Sequence, residues 1–235
     1  MKINIFGATG LIGSALLKQC LENEQITSVK IFVRKKIDIQ NTKIQQVITT
    51  FDTLENVKTE ITGDVVFNCL GTTLKQAGSE AAQYEIDCSY PVKVAQLAAA
   101  NGVPCMVNVS SVGTSENGNF YLKTKADMER SVSEAIGKKA YFMRPSFLVG
   151  DRGEFRLGEK IGIYAFYGIN LLLLGGLRKY RSIHANQVAK AMLNIAFTQP
   201  TGKTIFHYDD ILKTSDKSEI NSFYLNVPLQ GTKKQ

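Results

Sequence analysis

Tyr121 and Lys125 are the two residues whose types and spacing most clearly suggest chemistry. The pattern that begins at Phe120 predicts a helix, and residues four apart lie on one face of a helix. An ammonium group beside a phenol favours the phenolate, which suits a phenol that donates and recovers a proton near neutral pH. The pair therefore predicts a general acid/base site at the start of this helix.

Two hydroxyl side chains precede that helix. Ser110 and Ser111 end the apolar run 104–109, which is typical of a strand buried on both faces. Functional groups of open parallel sheets gather beyond the carboxyl ends of the strands. A Tyr-x-x-x-Lys pair just after such a strand end is much more specific than the same pair alone.

A strand at residues 2–6 leads directly into a glycine-spaced turn. Gly7 permits a tight reversal, Gly10 permits close approach of a pyrophosphate, and Gly13 lets the next helix pack close to the sheet. The amino end of that helix suits an anion, and a second strand at 29–33 completes a βαβ unit. We therefore predict a dinucleotide site, with an ordinary tight turn as the alternative; its predicted contacts are Gly7, Thr9, Gly10, Leu11, Ile12 and Gly13.

The second strand ends in the cations Arg34, Lys35 and Lys36. A site that prefers NAD usually has a carboxylate here, about 20 residues beyond the glycine turn, to bind the ribose hydroxyls. The planar fork of Arg34 attracts a 2'-phosphate instead. The sequence thus favours NADP over NAD, with Arg34 and Lys35 as contacts and a solvated charge run as the alternative.

Later strand ends add further candidates. A third strand at about 44–50 leads to Asp52, which we expect near an adenine ring, and a sixth strand ends at Arg144 and Pro145. The fourth strand, 64–70, ends where a small residue lets a cofactor pass closely over the sheet edge. The predicted cofactor contacts there are Leu70, Gly71 and Thr72, and Tyr121, Lys125, Arg144 and Pro145 complete the set.

The alternation of strands and helices predicts an α/β fold, a Rossmann-type doubly wound parallel sheet. With 235 residues, of which 44% are hydrophobic, we expect one domain over 1–235, in which 150–235 forms a small C-terminal substrate-binding region. The net charge of +7 is spread along the chain, so no nucleic-acid partner is expected. The cysteines lack metal-ligand spacing, so no metal is expected.

The amino-terminal strand and glycine turn leave no room for a signal peptide, and the cysteines are expected to be reduced thiols, so we expect a cytoplasmic location. Segment 161–177 is uncharged but too short and glycine-rich for an integral membrane span. It predicts a substrate-pocket wall or a subunit interface. Weak membrane contact and a homo-oligomer are left open.

Together these motifs resemble the short-chain dehydrogenase/reductase superfamily from Lys2 to about Ala196. The closer likeness is to its atypical, NmrA-like branch, especially the small oxidoreductases of the Tat-interacting-protein type. The residues that carry it are Gly7–Gly13, Leu70–Thr73, 75–79, Ser110 and Ser111, Tyr121–Lys125, 144–146 and 150–156.

By this resemblance Tyr121 is the general acid/base, Lys125 holds the nicotinamide ribose, and Ser111, or else Ser110, binds the substrate oxygen. The interval from Ser111 to Tyr121 is shorter than in typical members. The usual active-site Asn has no evident match, and Asp87 is the nearest polar residue.

The resemblance implies an NADP-dependent oxidoreductase that transfers hydride to or from a small carbonyl or alcohol substrate. Two alternatives stay open. One is a regulatory or assembly protein that senses NADP without turnover. The other is a nucleotide-sugar epimerase with tightly held NAD, which the three cations disfavour.

Overall fold

The computed structural model describes residues 1–150 and 173–216, in which strands and helices alternate. The strands are β1 Lys2–Phe6, β2 Ser28–Val33, β3 Ile44–Ile48, β4 Val65–Asn68, β5 Met106–Val109, β6 Ala140–Met143, β7 Leu148–Val149, β8 Ile183–His184 and β9 Ile205–Phe206. The α-helices are α1 Leu11–Glu22, α2 Leu74–Ala77, α3 Glu80–Tyr84, α4 Tyr90–Ala100, α5 Phe120–Ile136, α6 Ala185–Thr198 and α7 Tyr208–Ser215. Short 3-10 helices cover Leu54–Glu60, Gly137–Lys139 and Gly175–Tyr180.

Seven strands form one parallel sheet in the order β3-β2-β1-β4-β5-β6-β9. The chain moves outward from β1 to β3, then returns to β4 on the other side of β1. Strand order therefore reverses between β1 and β4, and ligands of such sheets bind at this switch point. The predicted Rossmann-type doubly wound sheet is confirmed. A separate parallel pair joins β7 and β8.

Alternate residues of the strands pack into layers on the two faces of the sheet. Ile3 and Ile5 belong to the core layer that includes α1 and α6, whereas Phe6 lies in the layer that includes α4 and α5. This is the pattern of strands covered by helices on both faces. The two layers hold the carboxyl ends of β1, β4 and β5 in place at one edge.

The helical stretch from Glu80 to Ala100 is interrupted ahead of Pro91. The turn Glu85–Ser89 is π-helical, and the N–H of Tyr90 donates to the carbonyl of Glu85, five residues earlier. Pro91 has no N–H to donate to the carbonyl of Asp87, so the regular pattern of bonds is lost here.

The described carboxyl-terminal part ends in a helix, although the sequence beyond Asp209 is polar and has few apolar residues. Residues Tyr208–Ser215 form α7, which packs against α6 through Ile211, a residue with 0% exposure. The apolar anchors are few but spaced for one helical face. His184 is the N-cap of α6, and its Nδ1 accepts a hydrogen bond from the N–H of Asn186 at 3.3 Å.

Across the part of the chain that the structure describes, no helix is both long and apolar enough to cross a bilayer. Residues 161–172 of segment 161–177 lie outside the described residues, as do residues 151–172 and 217–235 of the expected substrate-binding region.

Candidate functional site

The glycine turn after β1 is built by close backbone approaches. Gly7 has φ +80°, and a Cβ there would lie 2.6 Å from the carbonyl carbon of Cys69 at the end of β4. A Cβ on Gly13 would lie 2.0 Å from the carbonyl oxygen of Gly7, so α1 starts directly against the turn. Gly10 is the N-cap of α1 and offers no side chain to the first-turn N–H groups. These amide donors suit an anion, as the spacing predicts.

A cavity of about 600 Å³ opens beside this turn, above the carboxyl ends of β1, β2 and β3. It brings together several predicted contacts and others that sequence reasoning missed. The lining includes the predicted Gly7, Thr9, Arg34, Lys35 and Leu70, together with Lys36, Ile37, Thr49, Thr50, Phe51, Ile86 and Tyr90. Gly10, Leu11, Ile12, Gly13, Gly71 and Thr72 lie on the turn, on α1 and on the loop after β4, outside this lining.

The cation side of the cavity is exposed. Arg34, Lys35 and Lys36 are exposed, and within the described residues none of them forms an ion pair. Asp52 is also exposed and does not line the cavity, although its neighbour Phe51 does. The rim therefore presents uncompensated positive charge where the sequence predicts a ribose phosphate.

Aromatic rings form the apolar part of the cavity. Phe6 and Phe32 stack with their ring centroids 4.3 Å apart, and Phe51 stacks on Tyr90. Burial raises the pKa of the Tyr90 phenol, and the charges of Glu85 and Asp52 raise it further while Arg34 opposes them. Tyr90 is the residue before Pro91, at the start of α4. This position next to a proline is the signal in the sequence that could have singled out Tyr90.

The Tyr and Lys pair lies on the first turns of α5, whose N-cap Asn119 accepts the N–H of Leu122 at 3.0 Å. The Nζ of Lys125 is 5.9 Å from the ring centroid of Tyr121, so the predicted pair shares a helix face. Lys125 is only 2% exposed, and its Nζ lies 2.7 Å from Oδ1 of Asp87, which is 0% exposed. The sequence did not predict this buried ion pair.

The two serines at the end of β5 differ in their contacts. Ser110 is buried, and its hydroxyl donates to Oε1 of Glu129 at 2.5 Å. Ser111 is half-buried, and within the described residues its hydroxyl donates one long bond of 3.3 Å, to the neighbouring carbonyl of Val112. Ser110 is thus held within the protein, which favours Ser111 as the serine available to a substrate.

Arg144 has a partner that the sequence did not predict. Its guanidinium donates to both carboxylate oxygens of Glu129, at 2.9 and 2.5 Å. The carbonyl of Pro145 accepts the N–H of Val112 at 2.9 Å. The pairing with Glu129 directs the Arg144 side chain to α5. Contacts of Arg144 and Pro145 with a cofactor therefore stay predictions.

A buried asparagine pair shapes the strand ends and was also missed. The Asn68 amide donates to Oδ1 of Asn108 at 3.3 Å, and Oδ1 of Asn68 accepts the N–H of Leu70 at 3.1 Å. Asn108 in turn donates to the carbonyl of Tyr141. These bonds fix the turn after β4 at which the predicted cofactor contacts begin.

This sheet order, with a glycine turn at its switch point, defines a Rossmann-type dinucleotide-binding protein. The chain belongs to the NAD(P)H-binding family, whose pattern matches residues 7–160. Together with the relatives below, the match confirms the resemblance to the NmrA-like small oxidoreductases of the short-chain dehydrogenase/reductase superfamily.

Two relatives and one solved structure illustrate the similarity. Mitochondrial protein FMP52 of Eremothecium gossypii is 30% identical over 72% of this chain and 75% of the relative. Protein HTATIP2 of Rattus norvegicus is 33% identical over 66% of each chain. The structure of UDP-glucose 4-epimerase with UDP-glucose from Thermotoga maritima has a TM-score of 0.66 at 16% identity, over 95% of this chain and 83% of that one. At this identity it supports the fold alone.

The relatives also correct one expectation. Several related FMP52 proteins are named mitochondrial, which contradicts the cytoplasmic location inferred from the cysteines and the amino terminus. Reduced cysteines and the position of the first strand do not distinguish one intracellular compartment from another.

Proposed function

We propose that the chain is an NADP-dependent oxidoreductase that reduces a small carbonyl compound, or oxidises the corresponding alcohol, with Tyr121 as general acid/base. The observation that carries the proposal is Lys125, a 2% exposed ammonium on the same helix face as Tyr121. A phenol can act as a general acid/base, and in this arrangement the Tyr121 hydroxyl would donate and recover the proton while Lys125 binds the cofactor beside it.

The residues present fit a dinucleotide. A side chain at Gly7 or Gly13 would clash with the backbone, which keeps the turn bare for a pyrophosphate. A bound nicotinamide would supply or accept the hydride, which no side chain can do. The chain contributes binding at the turn, orientation through Lys125, and proton transfer at the Tyr121 hydroxyl, with Ser111 as donor to the substrate oxygen.

The preference for NADP over NAD is part of the proposal. Membership of an NAD(P)H-binding family is compatible with either cofactor. The preference is supported by the cations Arg34, Lys35 and Lys36 on the cavity rim, because the described residues that line the cavity include no carboxylate to bind ribose hydroxyls.

The decisive experiment measures NADPH consumption by the parent chain and by Tyr121→Phe with a panel of small aldehydes and ketones. Loss of a general acid/base typically costs about 10²–10⁴-fold in rate. We expect a loss of this size with little change in NADPH affinity, because the substitution removes only the hydroxyl. Tyr141→Phe is the matched control, since that hydroxyl donates to the carbonyl of Pro200. Unchanged turnover in Tyr121→Phe would refute the assignment.

A second candidate is an NADP sensor without turnover, favoured by the short interval between Ser111 and Tyr121. It predicts NADPH binding by the parent chain, no consumption with any substrate, and the same affinity in Tyr121→Phe. Turnover that depends on the Tyr121 hydroxyl would exclude it.

A further inference from the structure

Glu129 is a carboxylate that the protein buries on α5, one turn beyond Lys125, with 7% exposure. Arg144, which follows β6, donates to both of its oxygens, at 2.9 and 2.5 Å. A forked pair of this kind satisfies both charges and fixes their geometry. The ion pair therefore accounts for the burial of the charge, and any further bond to the carboxylate has another consequence.

A further donor to this carboxylate comes from the serine turn, residues 110–114. Ser110 is 4% exposed, and its hydroxyl donates to Oε1 of Glu129 at 2.5 Å. A short bond from a hydroxyl to a carboxylate is charge-assisted and stronger than a bond between neutral groups. The N–H of Ser110 donates to the carbonyl of Met143 at 2.7 Å. Ser110 is therefore fixed to α5 through its side chain and to β6 through its backbone.

The rest of the serine turn closes around Ser111. The carbonyl of Ser111 accepts both the hydroxyl and the N–H of Thr114, at 2.7 and 3.3 Å. The N–H of Val112 donates to the carbonyl of Pro145 at 2.9 Å. The hydroxyls of Ser110 and Thr114 lie 3.2 Å apart, but each has one proton and uses it in a shorter bond. The backbone of Ser111 is thus held on both sides, by Ser110 before it and by the closed turn after it.

We propose that Glu129 is a positioning residue that acts through Ser110 and determines where the Ser111 hydroxyl meets the substrate oxygen. This inference rests on the proposed function, in which Ser111 donates to that oxygen. Arg144 holds the carboxylate from the side of β6, and α5 carries both Glu129 and Tyr121. One helix therefore fixes the phenol that transfers the proton and, through Ser110, the hydroxyl that binds the substrate.

The test measures NADPH consumption by the full chain with the panel of small aldehydes and ketones, benzaldehyde and cyclohexanone among them. Ser110→Ala is the sharpest variant, because it removes the link to the serine turn and leaves the ion pair of Glu129 with Arg144 in place. A misplacement of about 1 Å can cost about 100-fold in rate, so we expect kcat to fall about 10- to 100-fold with NADPH affinity unchanged. Ser215→Ala is the matched control: that serine is also buried, and its hydroxyl donates within α7, to the carbonyl of Leu212 at 2.8 Å.

Double variants separate positioning from general loss of structure. In a Ser111→Ala background, Ser110→Ala should lower kcat hardly further, because residues that act through one another are not additive. Glu129→Gln should lower kcat by itself and should add little to Ser110→Ala. If Glu129→Gln does not fold, Glu129→Asp keeps the charge and withdraws the carboxylate by one methylene, and we expect the same loss of kcat there. Urea unfolding should show similar losses of stability in Ser110→Ala and Ser215→Ala, although only the first loses turnover.

The outcomes distinguish this inference from the proposed function. A parent chain that consumes NADPH with no member of the panel would overturn the proposed function and the positioning role with it. An active parent chain, with Ser110→Ala or the Glu129 variants matching Ser215→Ala in kcat, would overturn the positioning role alone. Equal effects of Ser110→Ala in both backgrounds would do the same, because Ser110 would then not act through Ser111. Full activity in Ser111→Ala would also overturn it and would make Ser110 the serine that binds the substrate.

Discussion

Two regions of the candidate site, the glycine turn after β1 and the buried ion pair of α5, are constructed in opposite ways. On the β1 side, the turn needs glycine at positions 7 and 13, because a Cβ at either position would collide with the backbone. On the α5 side, Asp87 and Lys125 act through charges that are almost completely buried. The first side depends on steric space and the second on electrostatic compensation, so each should fail under a different kind of substitution.

Helix α5 carries a second ion pair that makes the electrostatic side easier to interpret. Glu129, one turn beyond Lys125, pairs with Arg144, and these two side chains are 9% and 17% exposed. The pair near Tyr121 is 0% and 2% exposed. Because water reaches Arg144 more readily, the same chemistry should contribute differently at the two positions.

The largest expected effect is therefore loss of stability on removing one partner of the deeper pair. Asp87→Ala leaves the Lys125 ammonium buried without compensation, which typically costs about 3–5 kcal/mol. Glu129→Ala should cost less, because Arg144 can turn toward water. Urea unfolding monitored by circular dichroism gives both free energies of unfolding. Equal losses, or a larger loss in Glu129→Ala, would contradict the contrast drawn from burial.

The steric side is tested by adding one methyl group. Gly13→Ala places a Cβ 2.0 Å from the carbonyl oxygen of Gly7. Overpacking of this kind costs about 1–3 kcal/mol, and α1 must move away from the turn, so dinucleotide affinity should fall as well. Gly176→Ala is the control and should be neutral, since no described residue beyond its chain neighbours comes within 4 Å of a Cβ there. Thermal unfolding and NADPH titration of Gly13→Ala that match the control would refute the steric explanation.

The same contrast explains what the sequence predicts well. The glycine spacing after β1 is local, and strands β1, β2 and β4 are apolar runs that end at turn signals, so the fold and the cradle can be predicted from residues close together in the chain. The interruption before Pro91 is equally local. These features require no knowledge of distant contacts.

The electrostatic side could not be predicted in this way. The Asp87–Lys125 and Glu129–Arg144 pairs join segments that only the folded sheet brings together, and no spacing rule connects them. Asn68 and Asn108 look like interruptions of apolar strands until β4 and β5 lie side by side. Helix α7 was also not predicted, since Ile211 is the one hydrophobic residue that it buries completely.

The smallest expected effect concerns the exposed cations of the cavity rim, Arg34, Lys35 and Lys36. They depend neither on missing side chains, as the glycine turn does, nor on buried charge, as the ion pair of α5 does. The double variant Arg34→Ala with Lys35→Ala should weaken NADP binding by about 1–3 kcal/mol, through loss of charge-assisted bonds to a phosphate, and NAD binding much less. Lys138→Ala with Lys139→Ala removes the same net charge just before β6, away from the cavity, and should change neither affinity.

Salt sharpens this last comparison, because salt screens exposed charges much more strongly than buried pairs. Calorimetric titrations of NADP and NAD at low and high ionic strength should show the preference for NADP shrinking as salt rises. Urea unfolding at the same ionic strengths should show that the stability difference between Asp87→Ala and the parent chain persists. Equal weakening of NADP and NAD in the Arg34 and Lys35 variant would refute the phosphate assignment. A preference insensitive to salt would mean that recognition of the two cofactors lies in buried groups and not on the rim.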